Sequence, residues 1–336
     1  MICEDHSKQL ELFGIKLKNE TSNNSILQFK NILHDTKISH HLYSRLLDVI
    51  NSYKSNHSNI PEITFGVELE FIGYADQQAL RNFNLAMTRI LHNKYIFTGK
   101  YYHNNGDRWI LGRDGSISFN KSNNEFGYEL SSAKLNLSSA HDILLLKTVL
   151  SCIDRYLNGR VNESCGTHVH LSLPYDGIYR PDISRLLYSY SLMEAIAFDP
   201  LVPASRRRNT YCKPTQPSVS EKRQKLSARY CEFNEQSFQC DRLRFESRQL
   251  EGTLDLNTIL NWTILQSHVI YDLISHLNNR KYIKNLESSD AFQLLFRYDL
   301  SLDCINFFLE RIVRFRSRKL SAHCKKYIYD RLHYTM

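Results

Sequence analysis

Between positions 63 and 72 the chain reads ITFGVELEFI, an alternation in which Ile63, Phe65, Val67, Leu69 and Phe71 point one way and Thr64, Gly66, Glu68 and Glu70 the other. A period of two over this length specifies a strand buried on one face. It also leaves two carboxylates on the other face, about 7 Å apart along the backbone, where they can converge on a metal pair or a charged ligand. Taken alone, a Glu-x-Glu is more simply a solvated strand face. The weight of the pattern therefore depends on what the other strands carry.

Three further segments share the design. GYELSS at 127–132 sets Glu129 against Tyr128 and Leu130. GTHVHLSL at 166–173 sets His168, His170 and Ser172 against Thr167, Val169 and Leu171, and RLRFESRQL at 242–250 sets Arg244, Glu246 and Arg248 against Phe245 and Ser247. Each strand has an apolar face and a face filled with carboxylates, imidazoles or guanidiniums. Together they describe a concave sheet holding hard cations and an anion, because Mg²⁺ or Mn²⁺ takes oxygen ligands and arginine neutralises phosphate or carboxylate.

Helical spacing fills the intervals. Apolar positions 143, 146, 149/150, 153 and 157 predict a helix over 142–157, and positions 183, 186/187, 190, 193 and 196 after Pro181 predict another over 182–198. All seven prolines lie at or before 217, and long helical patterns follow at 255–277 and 291–316, so the C-terminal third is expected to be mainly helical. Residues 1–60 carry looser helical periodicity and end in the polar run NSYKSNHSN before Pro61, which predicts a helical N-terminal extension. Residues 202–225 combine three prolines with seven Lys or Arg and no apolar period, and read as a long functional loop or as disorder.

With 336 residues, 42% of them apolar and 23% charged, the chain can bury a sizeable core and has the balance of a soluble globular protein. No apolar stretch approaches the ~18–20 residues that span a bilayer. The acidic start MICEDHSKQL has no secretory pattern, so a cytoplasmic location is expected. The eight cysteines include no CxxC and fit reduced, packed thiols; Cys165 beside His168 is read as buried rather than as a nucleophile. Ser116 is read as a turn residue, and Asp114 equally as a turn residue or as a metal or substrate contact. A net charge of +8 does not by itself select a partner. The cations at 311, 314, 318 and 325 lie near one helical stripe, read first as a solvated face. Neither GxxxxGK[ST] nor GxGxxG occurs, which removes P-loop, protein-kinase and Rossmann readings.

In order, FGVELEFIG at 65–73, RDGSI at 113–117 with GYELSSAKL at 127–135, CGTHVHLS at 165–172, ASRRRNTYC at 204–212 and RFESRQLEGTLD at 244–255 resemble the amidoligase family. That family belongs to the carboxylate–amine ligase superfamily of glutamine synthetase and glutamate–cysteine ligase. The resemblance implies an α+β, glutamine synthetase-like catalytic fold, with a curved mixed or antiparallel sheet and helices on its outer face. It divides the chain into a helical extension at 1–60, a catalytic domain at 61–280 and a basic helical region at 281–336. The activity implied is ATP-dependent amide formation through an acyl phosphate, with ATP and Mg²⁺ (or Mn²⁺) as cofactors. Its substrates are a carboxylate and an amine, a peptide or protein among the options; neither nucleic acid nor membrane is expected, and the oligomeric state is left open.

Residue by residue, the resemblance gives Glu70 and Glu129 to one metal, and Glu68, His168 and Glu246 to the other. His170 lies near the nucleotide phosphates, as do Arg207 and Arg244. Arg248 holds the substrate carboxylate, and Arg206 and Arg208 approach the γ-phosphate or acyl phosphate. The third carboxylate of the Glu70 site is not evident, with Asp114 and Glu125 as substitutes. The competing readings are a guanidino-group phosphotransferase of the same superfamily and an inactive nucleic-acid-binding module built on the basic segments. A cupin-like His-x-His enzyme conflicts with the helical C-terminal third.

Overall fold

The computed structural model describes residues 64–97, 108–174, 180–207, 209–215, 233–239, 242–286, 291–298, 300 and 302–315. The extension expected at 1–60, Arg208 and the second part of the 202–225 loop lie outside the described residues.

The alternating segment forms β1 (Thr64–Tyr74), the longest strand of an eight-stranded sheet. β1 pairs antiparallel with β4 (Glu125–Ser131) on one side and β6 (Thr167–Pro174) on the other. Beyond β4 lies β3 (Trp109–Arg113), followed by β2 (Tyr95–Phe97), which runs parallel to β3. Beyond β6 come β8 (Arg242–Ser247) and β7 (Phe233–Gln239), both antiparallel, and the short β5 (Leu135–Asn136) pairs with the start of β1. The order β2-β3-β4-β1-β6-β8-β7 makes a mixed sheet in an α+β chain, as the sequence led us to expect.

One sheet face is apolar and closed by helices. Leu69, Phe71, Tyr128, Leu130, Val169, Leu171 and Phe245 are each at most 1% exposed and join a single hydrophobic cluster. α1 (Gln77–Leu91) starts at Asp76, whose Oδ2 accepts from Ala79 N at 2.9 Å, and buries Leu80, Phe83 and Met87. α2 (Ala140–Leu157) starts at Ser139 and ends at Asn158, which takes the left-handed conformation at φ 48°. α3 (Arg180–Met193) runs into a π turn at Glu194–Phe198, so the helix expected to 198 changes its winding before its end. α4 (Leu256–Ser275), capped by Asp255, is buried almost all round; its Trp262 donates Nε1–H to Ser247 Oγ at 3.1 Å, so the indole enters the core with its polar atom satisfied.

α5 (Arg280–Leu286), α6 (Ala291–Arg297) and α7 (Leu302–Phe315) follow, the single pattern expected over 291–316 being interrupted after Arg297. Phe308, Leu309 and Ile312 of α7 belong to the same hydrophobic cluster as β1. Arg311 is 6% exposed, which takes it out of the solvated stripe read from the sequence.

Candidate active site

Pairing register assembles the polar face. Glu70 stands opposite Glu129 across β1 and β4, Glu68 opposite His168 across β1 and β6, and His170 opposite Glu246 across β6 and β8. His168, 2% exposed, sits among three carboxylates: its Nδ1 is 2.9 Å from Glu68 Oε2 and 3.4 Å from Glu246 Oε1, and its Nε2 is 3.4 Å from Glu70 Oε1. His170 Nε2 lies 3.2 Å from Glu68 Oε1. Gly166, just before β6, donates its N–H to Glu70 Oε2 at 2.6 Å and fixes that carboxylate.

Two sets of ligand atoms emerge, each within 4.8 Å of one another: Glu68, His170 and Glu246, and Glu70, Asp114 and Glu129. Asp114 follows β3, where its backbone N–H bonds Gly127 O at 2.9 Å, so the β3–β4 pairing delivers the third carboxylate. Glu125, the other substitute, is held by Arg160 at 2.6 Å instead. His170 stands with Glu68 and Glu246 in one of these sets and is in register with Glu246, while His168 Nδ1 lies within 3.4 Å of the same two carboxylates.

So many carboxylates in little water shift their titration. Burial first, then the charges of Glu68, Glu70 and Asp114, push the Glu129 carboxyl up to about 10 against the partial relief of Arg248. Burial would raise Glu68 too, but His170 and His168 beside it hold its carboxyl well below the usual range. The same contact works in reverse on His170: burial disfavours its charge, yet Glu68 and then Glu246 raise it above the ordinary histidine value. The Nε2 atoms of His168 and His170 are buried without hydrogen-bond geometry to any partner. Buried imidazole nitrogens beside clustered hard oxygens are a donor set suited to divalent cations.

The arginines divide. Arg248, 8% exposed, donates Nη1–H to Glu246 Oε1 at 2.6 Å and Nε–H to Tyr211 O at 3.1 Å. Arg206, 3% exposed, donates to the Arg248 carbonyl and lies against Gly166, where an added Cβ would come within 2.7 Å of Nη2. Arg207 donates to backbone carbonyls, Val202 O at 2.7 Å and Phe315 O at 2.8 Å. Arg244 is exposed on β8. Val202, Arg206 and Cys212 are buried while Ala204, Thr210, Tyr211, Lys213 and Pro214 are exposed, so the described first part of the basic loop is anchored through some of its side chains.

Burial pushes the Cys165 thiol up to about 11, which disfavours the thiolate that a Cys–His reading needs. Ser116 occupies a turn, its N–H on Asp114 Oδ1 at 2.7 Å. Two features were missed in the sequence. One is the role of Gly166 as a backbone donor, for which the sequence carries no signal. The other is a cleft of about 700 Å³ lined by Ser116, Asn162, Ser164, Arg206, Asn209 and Tyr211 among others.

The model of the family described as "Putative amidoligase enzyme" matches residues 61–270. No curated protein matches the sequence. Among solved structures, the chain is similar to a "novel glutamine synthase homolog" at 12% identity and TM-score 0.41, with 85% of this chain and 74% of that one covered. It is similar to a GmaS/ADP complex at 12% identity and TM-score 0.40, covering 86% and 74%. It is also similar to the complex of the prokaryotic ubiquitin-like protein Pup with its ligase PafA, at 11% identity and TM-score 0.34, covering 75% and 58%. No described helix is long and apolar enough to cross a membrane.

Proposed function

The chain belongs to the amidoligase family, and from that premise we propose that it is an ATP-dependent carboxylate–amine ligase. The observation that carries the reading is the pair of ligand sets side by side on one sheet face, Glu68–His170–Glu246 and Glu70–Asp114–Glu129. A divalent cation, Mg²⁺ or Mn²⁺, held by each set supplies neutralisation of phosphate and carboxylate charge when bound.

In the reaction, an oxygen of the substrate carboxylate attacks the γ-phosphorus of ATP, the bond to ADP breaks and an acyl phosphate forms. The amine nitrogen then attacks the acyl carbon; phosphate leaves with the electrons of the C–O bond, and the amine gives up a proton. No protein nucleophile is needed, so the chain's task is positioning and charge neutralisation. His168 holds Glu68, Glu70 and Glu246 in one constellation. Arg248 orients Glu246, and Arg244, exposed on the same face of β8, meets the nucleotide phosphates.

The test is to incubate the protein with ATP, Mg²⁺ and a small-molecule cell extract, measuring ADP, phosphate and products by mass spectrometry. Release of both ADP and phosphate, with a product one water lighter than two consumed components, supports ligation. ADP release with a phosphorylated acceptor and no free phosphate replaces it with the phosphotransferase reading. No ATP turnover under any metal condition overturns both.

A further inference from the structure

Glu194 stands where the core pattern of α3 calls for an apolar side chain. Ile183, Leu186, Tyr190, Met193 and, in the turn that continues the helix, Ala197 form a buried stripe, each at most 3% exposed. Glu194, four residues after Tyr190, falls on that stripe and is 5% exposed. A carboxylate taken out of water is costly unless hydrogen bonds meet it. Here the backbone N–H of Thr215 lies 3.1 Å from Oε1 and 2.9 Å from Oε2, and Thr215 is itself 5% exposed. A bond of this charge-assisted kind is roughly twice as strong as a neutral one. The π turn begins at the same residue, with the Asp199 N–H reaching back to the Glu194 carbonyl. Single π turns within helices recur at functional sites.

Thr215 stands at the end of a short strut that leads to the carboxylates. Asn209 and Cys212 form a β-bridge, Asn209 Oδ1 accepts from Tyr211 N at 2.8 Å, and the buried Cys212 thiol lies 3.5 Å from the Arg248 carbonyl. Tyr211 O accepts the Arg248 Nε–H at 3.1 Å, and Arg248 Nη1–H meets Glu246 Oε1 at 2.6 Å. A planar guanidinium held at one nitrogen can swing about that bond, whereas one held at Nε and Nη1 has its plane fixed. Lys213 and Pro214, both exposed, separate Cys212 from Thr215. Three residues span at most about 11 Å and proline fixes its own φ, so slack at Thr215 is passed on to Tyr211.

We propose that Glu194 is a positioning residue for the metal-set carboxylate Glu246: by fastening the 209–215 turn to the end of α3, it keeps Tyr211 O on Arg248 and Arg248 on Glu246. The metal end of this relay rests on the ligase reading, while the fastening of Arg248 does not. Glu194 acts through the loop backbone, two hydrogen-bonded partners away from the cation it serves.

The test takes two readouts on the full chain without ATP: exchange of the Arg248 Nε–H with water, followed by ¹⁵N NMR of the arginine side chains, and Mg²⁺ affinity by calorimetry. Glu194→Ala should speed the exchange and weaken Mg²⁺ binding, each by about tenfold or more. Glu194→Gln, which keeps the shape and one acceptor oxygen for Thr215 N, should recover most of both losses. Pro214→Gly slackens the exposed strut with Glu194 intact and should move both readouts in the same direction, so it decides if Glu194→Ala does not fold. Ser139→Ala, which removes the N-cap of α2, measures what a loss of global stability alone does and should move neither. Parental exchange in the deciding variant, Mg²⁺ affinity unchanged where exchange has risen, a Glu194→Gln no better than Glu194→Ala, or an equal shift in Ser139→Ala overturns the proposal. A parent chain that binds no Mg²⁺ would remove the two-metal ligase reading and leave the fastening of Arg248 to be judged by exchange.

Discussion

Arg248 and Glu246, two residues apart on one face of the chain at the end of β8, are joined by a 2.6 Å hydrogen bond between groups that are both almost wholly buried. The pair makes Arg248 a clamp on a metal-set carboxylate. Glu246→Gln keeps the shape and removes the charge, so we expect weaker Mg²⁺ binding and at least a tenfold loss of kcat/KM, about 1.4 kcal/mol of transition-state stabilisation. Arg248→Lys keeps the charge and loses the fork that spans Glu246 and Tyr211 O. It should weaken Mg²⁺ binding by a similar factor. Calorimetric metal titration with steady-state kinetics decides between this clamp and direct substrate recognition, in which Arg248→Lys would raise only the KM for the acid.

A second expectation concerns pH. Glu129 titrates near 10 in the fold and near 4.5 when exposed, so between those values the unfolded chain has lost a proton that the folded protein keeps. Its contribution to metal-free stability is therefore full below about 4.5 and declines as pH rises toward about 10. A cation bound by Glu70, Asp114 and Glu129 displaces that proton. The rise in melting temperature on adding Mg²⁺ should be larger at pH about 8.5 than at about 5.5, and Glu129→Gln should flatten the difference. Calorimetry in buffers of different ionisation enthalpy should detect proton release. An Mg²⁺ effect independent of pH would remove Glu129 from the ligand set.

The third concerns the approach of Asp114. A methyl group at Gly127 would stand 2.6 Å from Asp114 O and 2.7 Å from Ile117 Cβ, and neither neighbour is the far end of a flexible side chain. Gly127→Ala should therefore push the 114–117 turn away from β4, costing about 1–3 kcal/mol by overpacking. Because Asp114 moves with the turn, Mg²⁺ affinity should fall too. Urea denaturation beside metal titration checks both; a destabilised variant with unchanged metal affinity would separate Asp114 from the site.

What could be read from the sequence follows from what is local. The alternation around Glu68, Glu129, His168 and Glu246 depends only on the period of a strand, so their shared polar face was legible before any pairing was known. That His170 stands opposite Glu246 was not, because it is set by the β6–β8 register. Asp114 was ambiguous for the same reason. β3 escaped notice because Trp109, Ile110 and Leu111 are all buried, on both faces, and a continuous apolar run has no period to detect. α1 could have been found from Leu80, Phe83, Met87 and Ile90. The burial of Arg206 and the hydrogen bonds of Arg207 to backbone carbonyls lie beyond sequence reasoning, since a run of three arginines in a proline-bounded loop gives no sign of which guanidinium faces inward.

The last prediction concerns α7, which lies past the residues matched by the family model. Arg311 donates Nη2–H to Glu251 Oε2 at 2.5 Å and Nε–H to Leu201 O at 2.8 Å. Glu251 forms a β-bridge with Gly166, the residue whose N–H fixes Glu70. α7 thus reaches the carboxylate cluster in two steps, through Glu251 and Gly166. Removing one partner of a fully buried pair costs about 3–5 kcal/mol, and a Glu251 side chain that is 24% exposed recovers part of this from water. Arg311→Met should therefore lower stability by about 2–3 kcal/mol and weaken Mg²⁺ binding. The double variant with Glu251→Gln should regain part of the stability, because the orphaned carboxylate has gone. Urea titrations of the single and double variants measure the coupling. If Arg311→Met left both stability and Mg²⁺ affinity as they are in the parent, α7 would be an appendage to the site rather than one of its supports.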